Sequence, residues 1–169
     1  MTSHERLTQD LRNWNPLVRA WAAEAMGDTW DIQFVPHLAR ALRDASSRVR
    51  TNAAVSLGRI GDPRGMAPLC RALEDSNAAV CAAAFDALLV FEDRAIGELC
   101  EALRRGSWER SQRVTDALVR LGPSAVPELT KLMASPVSQV RQEAVIALGR
   151  IGSSLATPHL VRALADESE

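Results

Sequence analysis

Residues 49–61 read VRTNAAVSLGRIG, and residues 140–152 read VRQEAVIALGRIG. Weaker copies of this segment start at Val18, Val80 and Arg110, so the five copies follow one another at spacings of 30 or 31 residues. A constant period of this length is typical of an array of small helical units that stack on their neighbours. The repeat, rather than any single motif, therefore predicts the fold.

A second, leucine-rich segment keeps the same period. It reads LARAL at 38–42, LCRAL at 69–73, LCEAL at 99–103, LTKLM at 129–133 and LVRAL at 160–164. Each unit therefore contains two helices, which we name the outer helix (leucine-rich) and the inner helix (the one with the Val-Arg step). The predicted outer helices are residues 3–13, 33–43, 64–74, 94–105, 124–134 and 155–165. The predicted inner helices are residues 16–26, 47–59, 78–91, 108–121 and 138–151.

Apolar residues fall on one side of the inner helix. Val49, Ala53, Leu57 and Ile60 follow the spacing i, i+4, i+8 and i+11, which is a helical stripe. Gly61 then ends the helix, because glycine adopts the left-handed conformation at little cost. Neither helix of a unit buries its apolar side alone, so the pattern predicts an all-α fold whose units share one core.

The composition narrows the class of protein. Of the 169 residues, 47% are hydrophobic and 24% are charged, which is typical of a packed globular chain. The formal charge of −1 disfavours a general nucleic-acid binder, because phosphate contacts need a basic excess. No apolar run reaches the roughly 20 residues that span a bilayer, so no membrane partner is expected. Cys70, Cys81 and Cys100 form no CxxC pair and predict reduced thiols in a cytoplasmic protein.

The order of residues from Asp44 to Gly61 resembles a known repeat. An aspartate is followed six residues later by the arginine of a Val-Arg step, then by Ala-Ala and by Leu-Gly-x-Ile-Gly. This pattern resembles the HEAT repeat of the short, phycobilisome-lyase-like type. The resemblance implies a right-handed α-solenoid of about five and a half helix pairs, a single domain over residues 1–169. Its inner-helix repeats start near 16, 47, 78, 108 and 138, with outer helices on the convex side and inner helices on the concave side.

The same resemblance implies a buried ladder of aspartate and arginine between neighbouring repeats. The residues that match it are Asp44, Arg50, Asp75 and Arg141. Six residues before Arg19 stands Asn13 rather than aspartate, and Cys81 follows Asp75 where arginine is expected. The fourth repeat has Arg105 and Ser111 at the two positions. We therefore expect irregular stacking around the third and fourth repeats.

The inner-helix positions that stacking leaves free mix tryptophan, aliphatic, amide and charged residues. Tryptophan and arginine are enriched among the residues that dominate binding energy at interfaces. Together with the concave position that the resemblance implies for the inner helices, this mixture predicts a non-enzymatic scaffolding module that binds another protein or a peptide in its concave groove. We expect Trp14 and Trp30, at element ends, to cover the core instead. The candidate partner-binding residues are Trp21, Glu24, Asn52, Arg59, Asp86, Trp108, Arg113, Arg120, Glu143 and Arg150.

No catalytic, metal or cofactor motif is predicted. The histidines His4, His37 and His159 form no ligand set, and no phosphate-binding glycine loop or nucleophile elbow occurs. One alternative, which the resemblance raises, is a subunit of a bilin lyase acting on phycobiliproteins. Another is a DNA base-excision enzyme that uses Trp108, Arg113, Asp116 and Arg120, which the neutral charge and short length disfavour.

The last predicted helix has weak polar cover. It contains Leu155, Leu160, Val161 and Leu164, whereas a terminal repeat needs a polar exposed side to stay soluble. We therefore expect further repeats after it or self-association through it.

Overall fold

The computed structural model describes residues 2–105, 108–154 and 157, with the side chains of residues 108–111 excepted. Every regular element within these ranges is a helix, which confirms the predicted all-α class. The chain divides into two compact units, Met1–Phe91 and Glu92–Glu169. A single domain over residues 1–169 stays a prediction.

The helices alternate between outer and inner in both units. The first unit contains α1 (Ser3–Asp10), α2 (Pro16–Asp28), α3 (Val35–Ala41), α4 (Ser47–Ile60), α5 (Met66–Ala72) and α6 (Ala78–Leu89). The second contains α7 (Ile96–Arg105), α8 (Trp108–Leu121), α9 (Val126–Leu132) and α10 (Ser138–Ile151). Odd numbers are outer helices and even numbers are inner helices. The outer helix predicted for residues 155–165 lies outside the described residues.

A short 3₁₀ turn, which the repeat pattern does not predict, leads into four of the outer helices. The turns are Ile32–Phe34, Pro63–Gly65, Glu92–Ala95 and Gly122–Ala125. Aspartate caps two of them: Asp31 accepts from the Gln33 amide, and Asp62 accepts from the Arg64 amide. Because these turns take up residues, α3, α5 and α9 are only seven residues long.

Inner helices pack against one another at very short range in the first unit. A Cβ atom added to Gly27 of α2 would lie 2.4 Å from Ser56 Oγ of α4, and one added to Gly58 would lie 2.8 Å from Ala87 Cβ of α6. The Ser56 hydroxyl donates to the Ala23 carbonyl at 2.8 Å. The predicted inward residues Val49, Ala53 and Leu57 are fully buried in this layer. The small residues therefore allow the backbones of neighbouring inner helices to come close together. The larger apolar residues of the same helices fill the core.

One residue per repeat has a left-handed backbone, just after each inner helix. The φ angles are 57° at Trp30, 65° at Gly61, 51° at Glu92, 72° at Gly122 and 63° at Gly152. The predicted glycine stops at Gly61 and Gly152 are confirmed. A non-glycine residue in this conformation costs roughly 1–2 kcal/mol, so Trp30 and Glu92 are strained where the other three matching positions hold glycine.

The expectation that Trp14 and Trp30 cover the core is wrong, because their side chains are 87% and 67% exposed. Trp14 directly precedes Asn15, the N-cap of α2. A hydrophobic residue in this position commonly packs against the fourth residue of the helix. That residue is Arg19, which is held by Asp44, so Trp14 has no apolar neighbour to pack against there.

Trp30→Gly should raise the free energy of unfolding by up to about 1 kcal/mol. It removes the left-handed strain, and the greater backbone freedom of unfolded glycine offsets part of the gain. The matched opposite change, Gly61→Ala, should lower the same free energy by about 1 kcal/mol. Urea unfolding followed by circular dichroism measures both. A less stable Trp30→Gly protein would mean that the contacts of Trp30 outweigh its strain.

Candidate functional site

Two arginines of the first unit bridge successive repeats. Arg19 of α2 donates from Nε and Nη2 to the two carboxylate oxygens of Asp44, each at 2.7 Å. Arg50 of α4 makes the same bidentate contact with Asp75, at 2.7 and 2.8 Å. Each aspartate follows the outer helix of the next repeat. The fork geometry of guanidinium and carboxylate therefore joins each inner helix to the repeat after it.

The same arginines also hold the turn of their own repeat. Arg19 Nη1 donates to the carbonyls of Asn13 and Trp14, at 2.9 and 3.0 Å. Arg50 Nη1 donates to the carbonyls of Asp44 and Ala45, at 2.8 and 3.2 Å. In both turns the arginine Nη1 atom donates only to backbone carbonyl oxygens. Asn13 in place of aspartate therefore leaves this link to the turn intact.

The pairing differs from the one that the sequence suggested. Asp44 offers Arg50 its backbone carbonyl, whereas its carboxylate belongs to Arg19 of the preceding repeat. At the third repeat Cys81 Sγ donates to the Asp75 carbonyl at 3.0 Å, so cysteine keeps the link to the turn but offers no guanidinium to a following repeat. In the second unit Arg141 Nη1 donates to the Ser135 and Pro136 carbonyls, at 2.8 and 3.2 Å.

The ladder is electrostatically stable near neutral pH. Hydrogen bonds from Arg19 and Arg50 lower the pKa of the Asp44 and Asp75 carboxyls, and partial burial opposes this shift. The side chains of these four residues are only 12–16% exposed. A carboxylate with a lowered pKa stabilises the fold above its unfolded pKa, and the contribution is lost as the pH falls through the folded pKa.

The inner-helix face of the first unit is the exposed side of α2, α4 and α6. Among the predicted partner-binding residues, Trp21, Glu24, Arg59 and Asp86 are exposed there. Arg59 Nη1 donates to Asp28 of α2 at 2.6 Å, which joins two inner helices at the surface. This face therefore carries both apolar and charged side chains.

Asn52 is the fifth predicted residue of the inner-helix face, and it is half-buried. Its Nδ2 donates to the Ala20 carbonyl at 2.9 Å and to Glu24 at 3.3 Å. It therefore serves contacts between helices more than contacts with solvent. Val55 and Val90, at positions that the repeat pattern leaves free but outside the candidate partner-binding residues, are exposed on the same face. Their signal in the sequence is an apolar residue at a position where the neighbouring repeats hold charge.

The predicted residues of the second unit have different fates. Arg113 and Arg120 are exposed on α8, and Arg150 Nη1 donates to Asp116 at 2.6 Å. The expectation that Glu143 lies in an open groove is wrong: it is 7% exposed and accepts a hydrogen bond from the Thr115 hydroxyl at 2.7 Å. The side chain of Trp108 lies outside the described residues.

The histidines and cysteines have structural surroundings. The His4 ring stacks on Phe34 at 4.2 Å and meets the edge of His37 at 6.3 Å. Glu5, the acidic neighbour of His4, accepts from the Thr2 amide and so completes a capping box at the start of α1. Burial raises the pKa of the Cys100 thiol to about 11, so it is protonated at neutral pH.

The described part of the chain contains neither a candidate metal site nor a candidate membrane-crossing helix. No group of three or more His, Cys, Asp or Glu side chains is placed to bind a metal ion there. The described helices also include none that is long and apolar enough to cross a membrane.

A family model of HEAT repeats matches residues 5–89 and 96–169. The chain belongs to the HEAT-repeat family. No curated protein sequence matches it. Among solved structures, it is similar to the complex of CpcE and CpcF of phycocyanin lyase from Nostoc sp. PCC7120, with 24% identity, a TM-score of 0.57 and coverage of 98% of this chain and 71% of that one. It is also similar to an engineered protein, with 20% identity, a TM-score of 0.50 and coverage of 99% and 87%. At these identities the likeness concerns the fold alone.

Arg50→Ala should lower the free energy of unfolding by about 3 kcal/mol, because it breaks a largely buried pair and frees the turn carbonyls. Asp75→Asn should cost less, about 1–2 kcal/mol, because Arg50 keeps its turn. Asp75→Asn should also reduce the loss of stability between neutral pH and about pH 3, since it removes a carboxyl with a lowered folded pKa.

Urea unfolding at neutral pH and at about pH 3 measures these effects, with the exposed Asp86→Asn as the control. Equal losses in Arg50→Ala and Asp75→Asn at neutral pH would show that the link to the turn contributes nothing. An unchanged pH dependence in Asp75→Asn would show that its carboxylate does not stabilise the fold.

Proposed function

We propose that this HEAT-repeat chain is a protein-binding module and that the inner-helix face of its first unit holds a segment of another protein. The observation that carries the proposal is an exposed apolar side chain on each inner helix of that unit. Trp21 on α2 is 55% exposed, Val55 on α4 is 37% exposed and Val90 on α6 is 57% exposed. Stacking does not depend on these side chains, because the close contacts between the inner helices are made at Gly27, Ser56 and Gly58.

The three apolar residues form a diagonal. Residues 31 positions apart are equivalent in neighbouring repeats. Trp21 is equivalent to Asn52, Glu24 to Val55, and Arg59 to Val90. Each apolar residue therefore lies about one turn further along its helix than the one before. With helices roughly 8–10 Å apart and a pitch of about 5.4 Å, the diagonal spans on the order of 20 Å. That distance suits about six residues of an extended segment.

Polar groups lie on both sides of the diagonal. Glu24 and the Arg59–Asp28 pair are on one side, and Asn52 and Asp86 are on the other. An apolar line with a polar rim is the usual anatomy of a protein interface, in which a few large side chains supply most of the energy. The matching partner segment carries apolar side chains along its centre and polar side chains at its edges. The proposal assigns no reaction to the chain.

The test begins with the full-length chain as bait, and mass spectrometry identifies the retained proteins. A purified partner is then titrated by calorimetry. Changing Trp21, Val55 and Val90 together to serine should raise the Kd at least tenfold, because it removes the anchors of the interface. The control, Arg40→Ala with Arg71→Ala, alters exposed residues of outer helices and should leave the Kd within about twofold.

Thermal melting of both variants separates binding from folding. If the control loses the partner while the serine variant keeps it, binding takes place on the outer helices and the proposal is wrong. If the serine variant unfolds, the three residues support the core instead of a partner. The visible absorption spectrum of a free linear tetrapyrrole should not change when the protein is added. A spectral shift would favour a chromophore-handling role.

A further inference from the structure

The first half of the first inner helix, with the two residues before it, exposes apolar side chains and no charged ones. Between residues 14 and 23 the exposed side chains are those of Trp14, Pro16, Leu17 and Trp21, and all are apolar. Trp14, Leu17 and Trp21 are 87%, 58% and 55% exposed. Leu17 and Trp21 lie one turn apart on α2, so they are neighbours on the helix surface. We name Trp14, Pro16, Leu17 and Trp21 the α2 stripe.

The repeat itself does not require this stripe. At the position of Leu17 the second repeat has Arg48, which is exposed, and at the position of Trp21 it has Asn52. The fold therefore accepts polar residues at these two positions. Contiguous exposed apolar surface of this kind marks a site of interaction in a folded protein. The exposed apolar residues of α2 therefore have a role other than stacking.

The size of the stripe fits a small interface. The exposed parts of two tryptophans and one leucine amount to on the order of 400 Å² of apolar surface. A standard interface buries about 800 Å² on each partner, of which the rim is polar. With rim residues such as Asn15 and Glu24 included, the stripe suits a weak interface with a dissociation constant in the micromolar range, on the order of 1–100 µM.

The charges around the stripe favour a second copy as the occupant. The one charged residue among residues 14–23, Arg19, is already bound to Asp44 and to turn carbonyls. Glu24, the next charged residue along α2, accepts a hydrogen bond from Asn52 Nδ2 at 3.3 Å and lies at the solvent-exposed rim of the contact. Pairing two α2 stripes therefore brings no unpaired charge out of water. The first unit is also neutral, with ten acidic and ten basic residues between 1 and 91, so long-range repulsion between copies is small.

We infer that two copies of this chain associate through their α2 stripes, each stripe covering the other around a two-fold axis. This inference goes beyond the proposed function, and because both contacts use Trp21, a second copy and a bound partner segment exclude each other at the α2 end of the inner-helix face. Identical apolar patches are complementary under two-fold symmetry, because each residue of one copy meets the matching set in the other. The contact buries Trp14, Leu17 and Trp21 while the Asp44–Arg19 pair stays intact.

The test measures the mass of the full-length protein by sedimentation velocity from 1 to 300 µM, at about 0.15 M and 1 M salt. The wild type should pass from monomer to dimer over this range, with no weakening at high salt because the contact is apolar. Tryptophan emission should shift to shorter wavelength as the dimer forms. Leu17→Glu should raise the dissociation constant at least tenfold, because it places a carboxylate in the apolar contact.

The matched control is Ile32→Glu in the 3₁₀ turn before α3. Ile32 is 52% exposed, close to the exposure of Leu17, but lies outside both the α2 stripe and the inner-helix face, so the dimer should persist. A wild type that stays monomeric at 300 µM overturns the inference, and the serine variant with a purified partner still tests the proposed function by itself. A dimer that Leu17→Glu leaves unchanged also overturns it and directs attention to another surface, including the predicted last helix.

Discussion

The rest of the first unit depends on the position of the guanidinium groups of Arg19 and Arg50. Each rigid fork donates to two carbonyls in the turn of its own repeat and to a carboxylate that follows the next outer helix. One side chain therefore sets both the shape of a turn and the distance to the following repeat. Lysine has a single ammonium group and lacks the planar fork for this double contact. Cys81 keeps only the first of the two links.

Close packing of the inner helices follows from this spacing. At Gly27 and Gly58 the neighbouring backbone comes so near that a methyl group has no room, and Ser56 satisfies a carbonyl across the gap. The inner helices thus have small residues on the sides that face each other and large apolar residues on the side that faces the core. Their remaining side is not needed for stability. Composition can vary there, and it is there that Trp21, Val55 and Val90 are found.

Periodicity made most of the fold predictable, because every repeat reports the same helix pair. The bounds of the inner helices, the inward Val49, Ala53 and Leu57, and the stops at Gly61 and Gly152 all follow from it, whereas the 3₁₀ turns that shorten the outer helices do not. The pairing of the ladder does not follow from a single repeat, because each arginine binds the aspartate of the repeat after it. The informative signal was an arginine with an aspartate 25 residues later, which occurs at Arg19 and again at Arg50.

Single residues were harder to place than helices. Trp14 and Trp30 are aromatic, yet both are exposed. Trp14 is exposed because Arg19 stands at the helix position where an apolar residue could have packed against it. Trp30 is exposed in a turn where its own backbone is left-handed. Glu143 is charged, yet it is buried because Thr115 on the neighbouring helix donates to it. The candidate binding residues depend in the same way on contacts between repeats, which one sequence does not display.

The separation between each arginine and its aspartate has a consequence for how such a chain changes length. The period between the first repeats is 31 residues, and Arg19 and Asp44 are 25 apart. Excision of one whole period between Arg19 and Asp75, for example residues 31–61, leaves Arg19 at that same separation from Asp75. Arg19 on one side of the new junction and Asp75 on the other are therefore already the pair that bonds across it. Unequal recombination can thus add or remove whole repeats in this part of the chain without any compensating substitution.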